Sequence, residues 1–502
     1  MTTILWTLIT MQIAMGGFDT VFHHEGTERL AWRSGQQREL RLHGLRNLLY
    51  SLMFAVLGWA QPGGIIAAAF LALLIVELVI TLWDFVEEDR TRKLPPTERV
   101  THTLLTLNYG AIIALLLPVL WGWMHSAESL EPAYYGLWSW MCVSASAGTF
   151  LFGLRDLAAA RRMALFDEPD FARLADELGD HRSILVTGGT GFVGTRLVKA
   201  LVEAGHDVTV LTRDRSSAAH LPAPIRILTT LDQVASNARI DAVVNLAGEP
   251  ISNAPWTARK RERIIASRVS VTDEVGRLLK RLRHRPAVLV SGSAIGWYGL
   301  RGEERLTEEA QFRPCFSHEV CAAWEGAARE AAADVRLVML RIGLVLGRDG
   351  GMLARMLAPF EFGLGGPFGS GRQMMSWIHL DDLVRLIVKA IADDGFEGAV
   401  NATAPNPVDN RTFAAKLGCV LRRPAVLPVP ATPLRLALGD FADELLLGGQ
   451  AVIPAKAERL GFTFAYPEVR SAFAEIVGRA PKAERRQACL TDTRQPSALP
   501  LR

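Results

Sequence analysis

Cysteine is scarce: five residues in 502, at positions 142, 315, 321, 419 and 489, with no Cys-x-x-Cys pair. This scatter excludes a disulfide framework and a thiolate zinc site, and it fits a reducing compartment. Net charge is also small, at +3. No basic stripe interleaved with aromatics occurs, so nucleic acid is not an expected partner. No basic residue precedes the first apolar run and no small-residue cleavage pattern follows it. A signal peptide is therefore not expected, and Met1 to Phe22 reads as a retained membrane helix. Apolar residues make up 49% and charged ones 21%, which excludes a disordered chain. The length is too great for one core, so several domains are expected.

What is present is unevenly distributed. The first third holds most of the tryptophans and the long apolar runs. A spanning helix needs roughly 20 mostly apolar residues. Five stretches qualify: Ile4–Phe22, Gly44–Ala60, Gly64–Phe85, Leu104–Met124 and Tyr134–Leu154. The second is the weakest, because Arg46 and Asn47 stand at its start. The loop after the first helix carries Arg29, Arg33, Arg38 and Arg41, and the loop after the third carries Arg90, Arg92, Lys93 and Arg99. The loop after the fourth has no basic residue, whereas Arg155, Arg161 and Arg162 follow the fifth. By the positive-inside rule the N-terminus lies outside and the C-terminal part in the cytoplasm of an inner (plasma) membrane. The expected organisation is a five-helix all-α transmembrane bundle over 1–154, a linker over 155–182, a nucleotide-binding domain over 183–422, a small C-terminal α+β domain over 423–480 and a loose tail over 481–502.

Ionisable residues gather at the cytoplasmic ends of these helices. Asp19, His23, His24 and Glu25 close the first. Glu77, Asp84 and Glu88 share a face of the third. His43 precedes the second and His102 the fourth. Such groups either hold metal between facing helices or form hydrogen-bonded helix ends at the lipid boundary. No Glu-x-x-His pair decides between the two, and a metal set stays unknown.

From Ser183 the texture changes. Ser183–Thr187 reads as a strand, followed by Gly188-Gly189-Thr190-Gly191-Phe192-Val193-Gly194, an amphipathic helix to about Ala204, and a second strand, Asp207–Thr212. Glycines at a strand-to-helix turn allow a tight turn and close approach of a pyrophosphate to the helix N-terminus. The second strand ends in Thr212-Arg213 rather than a carboxylate. An arginine there suits a ribose 2′-phosphate, so NADP is expected over NAD. Asp214 is the alternative ribose ligand. Further strands, Ala242–Leu246, Ala287–Ser291 and Leu337–Ile342, alternate with helices, which predicts a doubly wound, Rossmann-like α/β parallel sheet. Asn245-Leu246-Ala247-Gly248 and Ser291-Gly292-Ser293 sit at strand ends, where ligands bind. Arg259-Lys260-Arg261 reads as a solvated helix face, and Gly363–Gln373 as a glycine-rich mobile lid over the cofactor.

The spacing Gly188-x-x-Gly191-x-x-Gly194 and the later Trp377-Ile378-His379-Leu380-Asp381-Asp382 resemble the extended short-chain dehydrogenase/reductase superfamily. NLAGEPI (Asn245–Ile251), SGSAIGWYG (Ser291–Gly299), Trp324-Glu325, LRIGLVL (Leu340–Leu346) and GLGGPFGSGRQ (Gly363–Gln373) are similar to its atypical NADP-binding "epimerase family" branch. Arg423–Pro467 resembles the domain of unknown function that closes that branch. The resemblance covers about 183–478 and leaves the membrane domain outside it. It implies NAD(P) chemistry on a small-molecule substrate, and it leaves a homodimer open.

The superfamily's chemistry implies a tyrosine with a lysine four residues later, and a serine about two dozen residues before. Ser293 fits the serine. Ser317 and Cys321 stand where the tyrosine and lysine belong, and no tyrosine in the chain has lysine four residues on. Without that pair ordinary hydride chemistry lacks its proton donor. Tyr298, Glu325 and His318 are the substitutes, or the domain binds nucleotide without turnover. His379 reads as a residue packed at the start of its helix.

Overall fold

The computed structural model describes residues 1–33, 35–91, 94–163, 166 and 170–479. The expected tail, 481–502, lies outside the described residues. The chain divides into two compact units, Met1–Asp167 and Glu168–Arg502.

The first unit is helical. Helix α1 (Thr3–Phe18) runs on into a π-helical segment, Asp19–Glu28, and α2 (Gln37–Trp59), α3 (Gly64–Thr91), α4 (Pro96–Met124) and α5 (Leu137–Met163) follow. Arg29 ends the π segment in the left-handed region, at φ 52°. Two short segments, Ala60–Pro62 and Leu130–Pro132, pair antiparallel. Each of the five expected stretches falls largely in a helix, with Ala60 and Tyr134 to Gly136 outside it. Four of the helical segments, including Thr3–Glu28, are long and apolar enough to cross a membrane by length and composition. Helix α2 is not among them, since Arg38, Glu39, Arg41, His43 and Arg46 load its first half with charge. It packs against α5 through small residues. A Cβ on Gly58 would lie 2.5 Å from Cys142 Cβ, and one on Gly153 would lie 2.9 Å from the Gly44 carbonyl oxygen. Close helix approach of this kind depends on glycine. Helix α5 continues to Met163, into the stretch expected as a linker.

The second unit is built on a parallel sheet. Its strands are β1 (Ser183–Thr187), β2 (Asp207–Leu211), β3 (Arg226–Leu228), β4 (Ala242–Asn245), β5 (Val288–Ala294), β7 (Arg336–Ile342) and β10 (Gly398–Ala402). They lie in the order β10-β7-β5-β4-β1-β2-β3. Between β5 and β7 comes β6 (Gly302–Leu306), and between β7 and β10 come β8 (Leu344–Leu346) and β9 (Trp377–His379). Pairs β8–β9 and β6–β11 (Gln450–Val452) form small parallel sheets. Crossover helices α6 (Phe192–Glu203), α7 (Ala258–Arg281), α8 (Phe316–Ala331) and α10 (Leu380–Ala392) cover the large sheet. Between α8 and α10 lies α9 (Gly351–Glu361).

The period-two alternation of β1 divides its side chains between two cores. Ile184 and Val186 join Leu197, Leu201, Leu383 and Ile387 on one face, and Leu185 joins Val275, Leu279 and Leu289 on the other. Strand order reverses between β1 and β4, so the crevice at their carboxyl ends is a topological switch point. The C-terminal segment shares this core: Ala457, Phe462 and Phe464 pack into the same cluster as the sheet.

Candidate nucleotide site

Helix α6 begins where the chain leaves β1. Gly188 turns in the left-handed region at φ 71°, and Gly191 caps the helix from extended backbone. The turn has no room for side chains. A Cβ on Gly188 would lie 2.7 Å from the Leu246 carbonyl, and one on Gly194 would lie 2.1 Å from the Gly188 carbonyl oxygen. The two glycines thus let β1, the helix start and the Leu246–Ala247 backbone converge. Thr190 and Gly191 reach the surface of the turn. Phe192, Val193 and Gly194 open the helix, whose first N–H groups have no acceptor within it. The Phe192 ring lies against Gly347 and Gly350, where a Cβ would come within 2.7 Å of it.

The adjacent strand end is fixed by a buried chain of side chains. Thr187 Oγ1 donates to Asn245 Oδ1 (2.6 Å), Asn245 Nδ2 donates to Thr272 Oγ1 (2.8 Å), and Thr272 Oγ1 donates to the Arg268 carbonyl (2.7 Å). β1, β4 and α7 are thereby locked together, with Leu246, Ala247 and Gly248 leading out of β4 beside the turn. Strand β2 ends at Leu211. Thr212 is buried and hydrogen-bonds Ser217, whereas Arg213 is exposed. The Asp214 carboxylate accepts from the Ser216 amide (2.9 Å) and caps a short 3-10 turn. Of the two residues weighed for the ribose, Arg213 is the one not engaged in a cap.

Ser293, Tyr298 and Glu325 converge on one buried network. Ser293 Oγ donates to Glu325 Oε1 (2.8 Å). Glu325, fully buried on α8, also accepts from Arg341 Nε (2.9 Å), Arg341 Nη2 (3.2 Å) and Arg329 Nη2 (2.9 Å). Arg341 Nη1 donates to the Tyr298 hydroxyl (3.0 Å), which itself donates to Asn401 Oδ1 (2.6 Å). Tyr298 has no exposed surface. Burial pushes its hydroxyl above the ordinary phenol value, against the pull of Arg341. A general acid at neutral pH needs the opposite shift. The sequence reading did not single out Arg341. The "LRIGLVL" stretch contains it, but only the pairing of β7 with β5 brings Arg341 opposite Ser293.

At the expected tyrosine and lysine places neither residue is poised to react. Ser317 donates to Glu444 Oε2 (2.6 Å). Burial pushes the Cys321 thiol up to about 12. His318 Nδ1 lies 2.7 Å from the Trp297 carbonyl oxygen, and its ring stacks on Phe312. His379 caps α10, accepting from the Asp381 amide at Nδ1 (3.2 Å), while its Nε2 donates to Glu475 (3.0 Å). Asp382 accepts from the Ala465 and Tyr466 amides (2.8 and 2.9 Å). The WIHLDD stretch therefore clamps the C-terminal segment onto the sheet.

Two surface readings change. Lys260 is not solvated: it is 3% exposed, and its Nζ donates to Glu249 Oε1 (2.5 Å) and Asn253 Oδ1 (2.7 Å). Arg261 pairs with Asp440 and lies over the Phe316 ring. The expected lid, Gly363–Gln373, is tied down by backbone bonds from Leu427 to Gly365 (3.1 Å), Val429 to Pro367 (2.9 Å) and Gly369 to Val429 (2.9 Å). A Cβ on Gly366 would collide with the Leu427 carbonyl oxygen, 1.9 Å away.

Both matching family models fall on this second unit. The NAD dependent epimerase/dehydratase family matches residues 184–402, and a domain of unknown function, DUF1731, matches residues 429–476. "Epimerase family protein SDR39U1 homolog, chloroplastic" of Arabidopsis thaliana is 43% identical over 302 residues, covering 59% of this chain and 86% of that protein. "Epimerase family protein SDR39U1" of Homo sapiens is 37% identical over 300 residues, covering 59% of this chain and 99% of its own length. The crystal structure of human SDR39U1 (isoform 2) with NADPH superposes with a TM-score of 0.55 at 32% identity, covering 59% of this chain and all of that one. A nucleoside-diphosphate sugar epimerase from Corynebacterium glutamicum gives 0.51 at 31% identity, covering 68% of this chain and 66% of that one. The glycine turn, the sheet order and these matches coincide, and the chain belongs to the NAD dependent epimerase/dehydratase family.

Proposed function

We propose that this protein is a membrane-anchored, NADP(H)-dependent oxidoreductase or epimerase-like enzyme acting on a lipid-soluble small molecule. The observation that carries the reading is the cradle at Gly188 and Gly194, which a Cβ at either position would fill. The pyrophosphate would rest there, against Thr190 to Gly194 and beside Asn245 to Gly248, and Arg213, next to Thr212, would take the 2′-phosphate. Bound, the nicotinamide supplies or accepts a hydride. Human SDR39U1, crystallised with NADPH, supports the choice of NADP over NAD.

The chain's own residues divide the remaining tasks. Ser293, at the end of β5, orients the substrate oxygen. Glu325 and Arg341 fix the serine rotamer, and Tyr298 braces Arg341, so all three are positioning residues. The first unit explains the substrate class. Its exposed large apolar side chains, among them Leu137, Ile65 and Leu107, call for lipid around them. A bilayer anchor with the N-terminus outside would leave the second unit in the cytoplasm, within reach of membrane-dissolved substrates.

One observation favours a second reading. Tyr298 is wholly buried, and Ser317 and Cys321 replace the usual acid and its lysine. A domain so arranged would bind NADP(H) without turnover and regulate the helical unit or a partner. Assaying NADPH oxidation by full-length protein in detergent, against quinones and lipid aldehydes or ketones, separates the two. The enzyme reading expects turnover with at least one acceptor, lowered at least tenfold by Ser293→Ala. Saturable NADPH binding with no turnover across the panel favours the regulator.

A further inference from the structure

The interior of the helical unit holds an unusual density of ligand-type side chains. Asp19, Glu39, Asp84, Glu88 and Glu98 are each at most 4% exposed, and His24, His43 and His102 lie among them, none more than 9% exposed. Each of four helical segments contributes a pair four residues apart: Asp19 and His23, Glu39 and His43, Asp84 and Glu88, Glu98 and His102. That spacing puts both members on one helix face. The π-helical turns after Asp19 also bring His24 inward, and π segments recur at functional sites.

The geometry brings ligand-type atoms close together, alongside a contact of His43 Nε2 with Asp84 Oδ2 at 2.9 Å. Glu88 presents one oxygen to each of two imidazoles: Oε1 lies 3.4 Å from His43 Nε2, and Oε2 lies 3.4 Å from His102 Nδ1. Two sets of donors form around it. His24, Glu88, Glu98 and His102 make one, and Glu39, His43 and Glu88 the other, with donor atoms inside each set within 4.8 Å of one another. Ligands at about 2.1 Å from a shared ion stand at most about 4.2 Å apart, so each set needs only a small contraction. His24 supplies the independent sign. Its buried Nε2 is 3.3 Å from Asp19 Oδ2 and 3.8 Å from Glu98 Oε1, yet it makes no hydrogen bond. Asp84 Oδ1, fully buried, also lacks one. The outer nitrogen of one ligand is already held: His102 Nε2 lies 3.3 Å from Asp19 Oδ2, whose other oxygen is 2.9 Å from His23 Nδ1.

We infer that this cluster is a two-metal site, with Glu88 bridging an ion held by His24, Glu98 and His102 and a second held by Glu39 and His43. Carboxylates and imidazoles without thiolate select divalent iron, manganese or zinc rather than copper(I) or an iron–sulfur cluster. The arrangement is the one by which helical bundles hold metal pairs, with ligands projecting inward from four segments. A mainly apolar cavity of about 440 Å³ has Asp19 and His102 in its wall, beside the cluster.

The test is metal content of the full-length protein in detergent. The protein is stripped with chelator and reloaded separately with Fe(II), Mn(II), Zn(II) and Co(II), the last read by its visible absorption. The inference expects close to two equivalents per chain with at least one metal, and a rise in thermal midpoint on reloading. Glu88→Gln and His24→Gln should each lose one equivalent or more. His125→Gln, at an exposed position of the same unit, should lose none. One equivalent or fewer in the unaltered protein with every metal overturns the inference. So does full retention in Glu88→Gln. The stripping and reloading of unaltered protein does not depend on any variant folding.

Discussion

The two units are built inside out relative to each other. In the second, most buried positions are apolar, and the buried Glu325 carboxylate is closed into a bonded set with Arg341 and Arg329. In the first, Ile4, Ile65, Leu107, Leu137 and Leu151 are each at least 65% exposed, while aspartate, glutamate and histidine share the interior with an apolar cluster that includes Leu5, Trp6, Phe70 and Leu116. An apolar exterior costs free energy in water and none in lipid, which is the ground for proposing a bilayer around the first unit. The interiors differ too. Glu325 accepts from Ser293 and from two arginines, whereas His24 Nε2 has no hydrogen bond. In the first unit the inferred ions would complete such a set.

The largest expected effect tests closure in the second unit. Glu325→Ala strands the Arg341 guanidinium in the interior, which costs about 3–5 kcal/mol. The unfolding midpoint of the second unit should drop accordingly, and Glu325→Leu with Arg341→Met should recover most of it. A single-variant loss under about 1 kcal/mol would break the contrast between closed and open interiors.

Next comes the exterior of the first unit. Leu107→Arg places a charge on α4 at a position 67% exposed. If lipid surrounds it, insertion is penalised by about 2.5–3.5 kcal/mol, and the membrane-inserted fraction measured by alkaline extraction should fall. On a water-facing surface the same change would stay within about 0.5 kcal/mol, and unaltered extraction would sink the inversion.

The smallest effect is a pH dependence. Burial alone would lower the His379 pKa, but the Glu475 hydrogen bond raises it above the ordinary histidine value. Its contribution is therefore complete below the unfolded histidine value and is lost as pH rises through the higher folded one. Burial alone would raise the Glu475 pKa, but His379 holds it below the ordinary carboxylate value. That contribution is complete above the unfolded carboxylate value and is lost as pH falls through the lower folded one. The pair should stabilise most between the two ordinary values, by about 1 kcal/mol. His379→Gln should flatten this maximum in the unfolding midpoint against pH. An unchanged profile would show that the clamp does not titrate.

Much of this was legible in the residues. The turn at Gly188 to Gly194 declares itself because its constraints are local: tight turning and close backbone approach have only glycine as an answer. Apolar runs likewise expose the helices, and the structure extends them at their polar ends. Arg341 was invisible because its partners, Ser293 and Glu325, meet it only through sheet register. Lys260 looked solvated because one turn of basic residues gives no sign of which of them faces a buried glutamate. In the first unit Asp19, His23, His24, His43, Asp84, Glu88 and His102 stand out beside the apolar runs, whereas Glu39 and Glu98 are lost among the other charged residues that open their helices.

The central claim is that a dinucleotide's diphosphate lies on the amides opening α6, with Arg213 on the 2′-phosphate. Calorimetric titration of the full-length protein with NADPH and NADH tests it most directly. One NADPH per chain should bind, at least tenfold tighter than NADH, a preference of about 1.4 kcal/mol, and Arg213→Ala should erase that preference while leaving NADH unaffected. Absence of binding by either coenzyme would contradict the account.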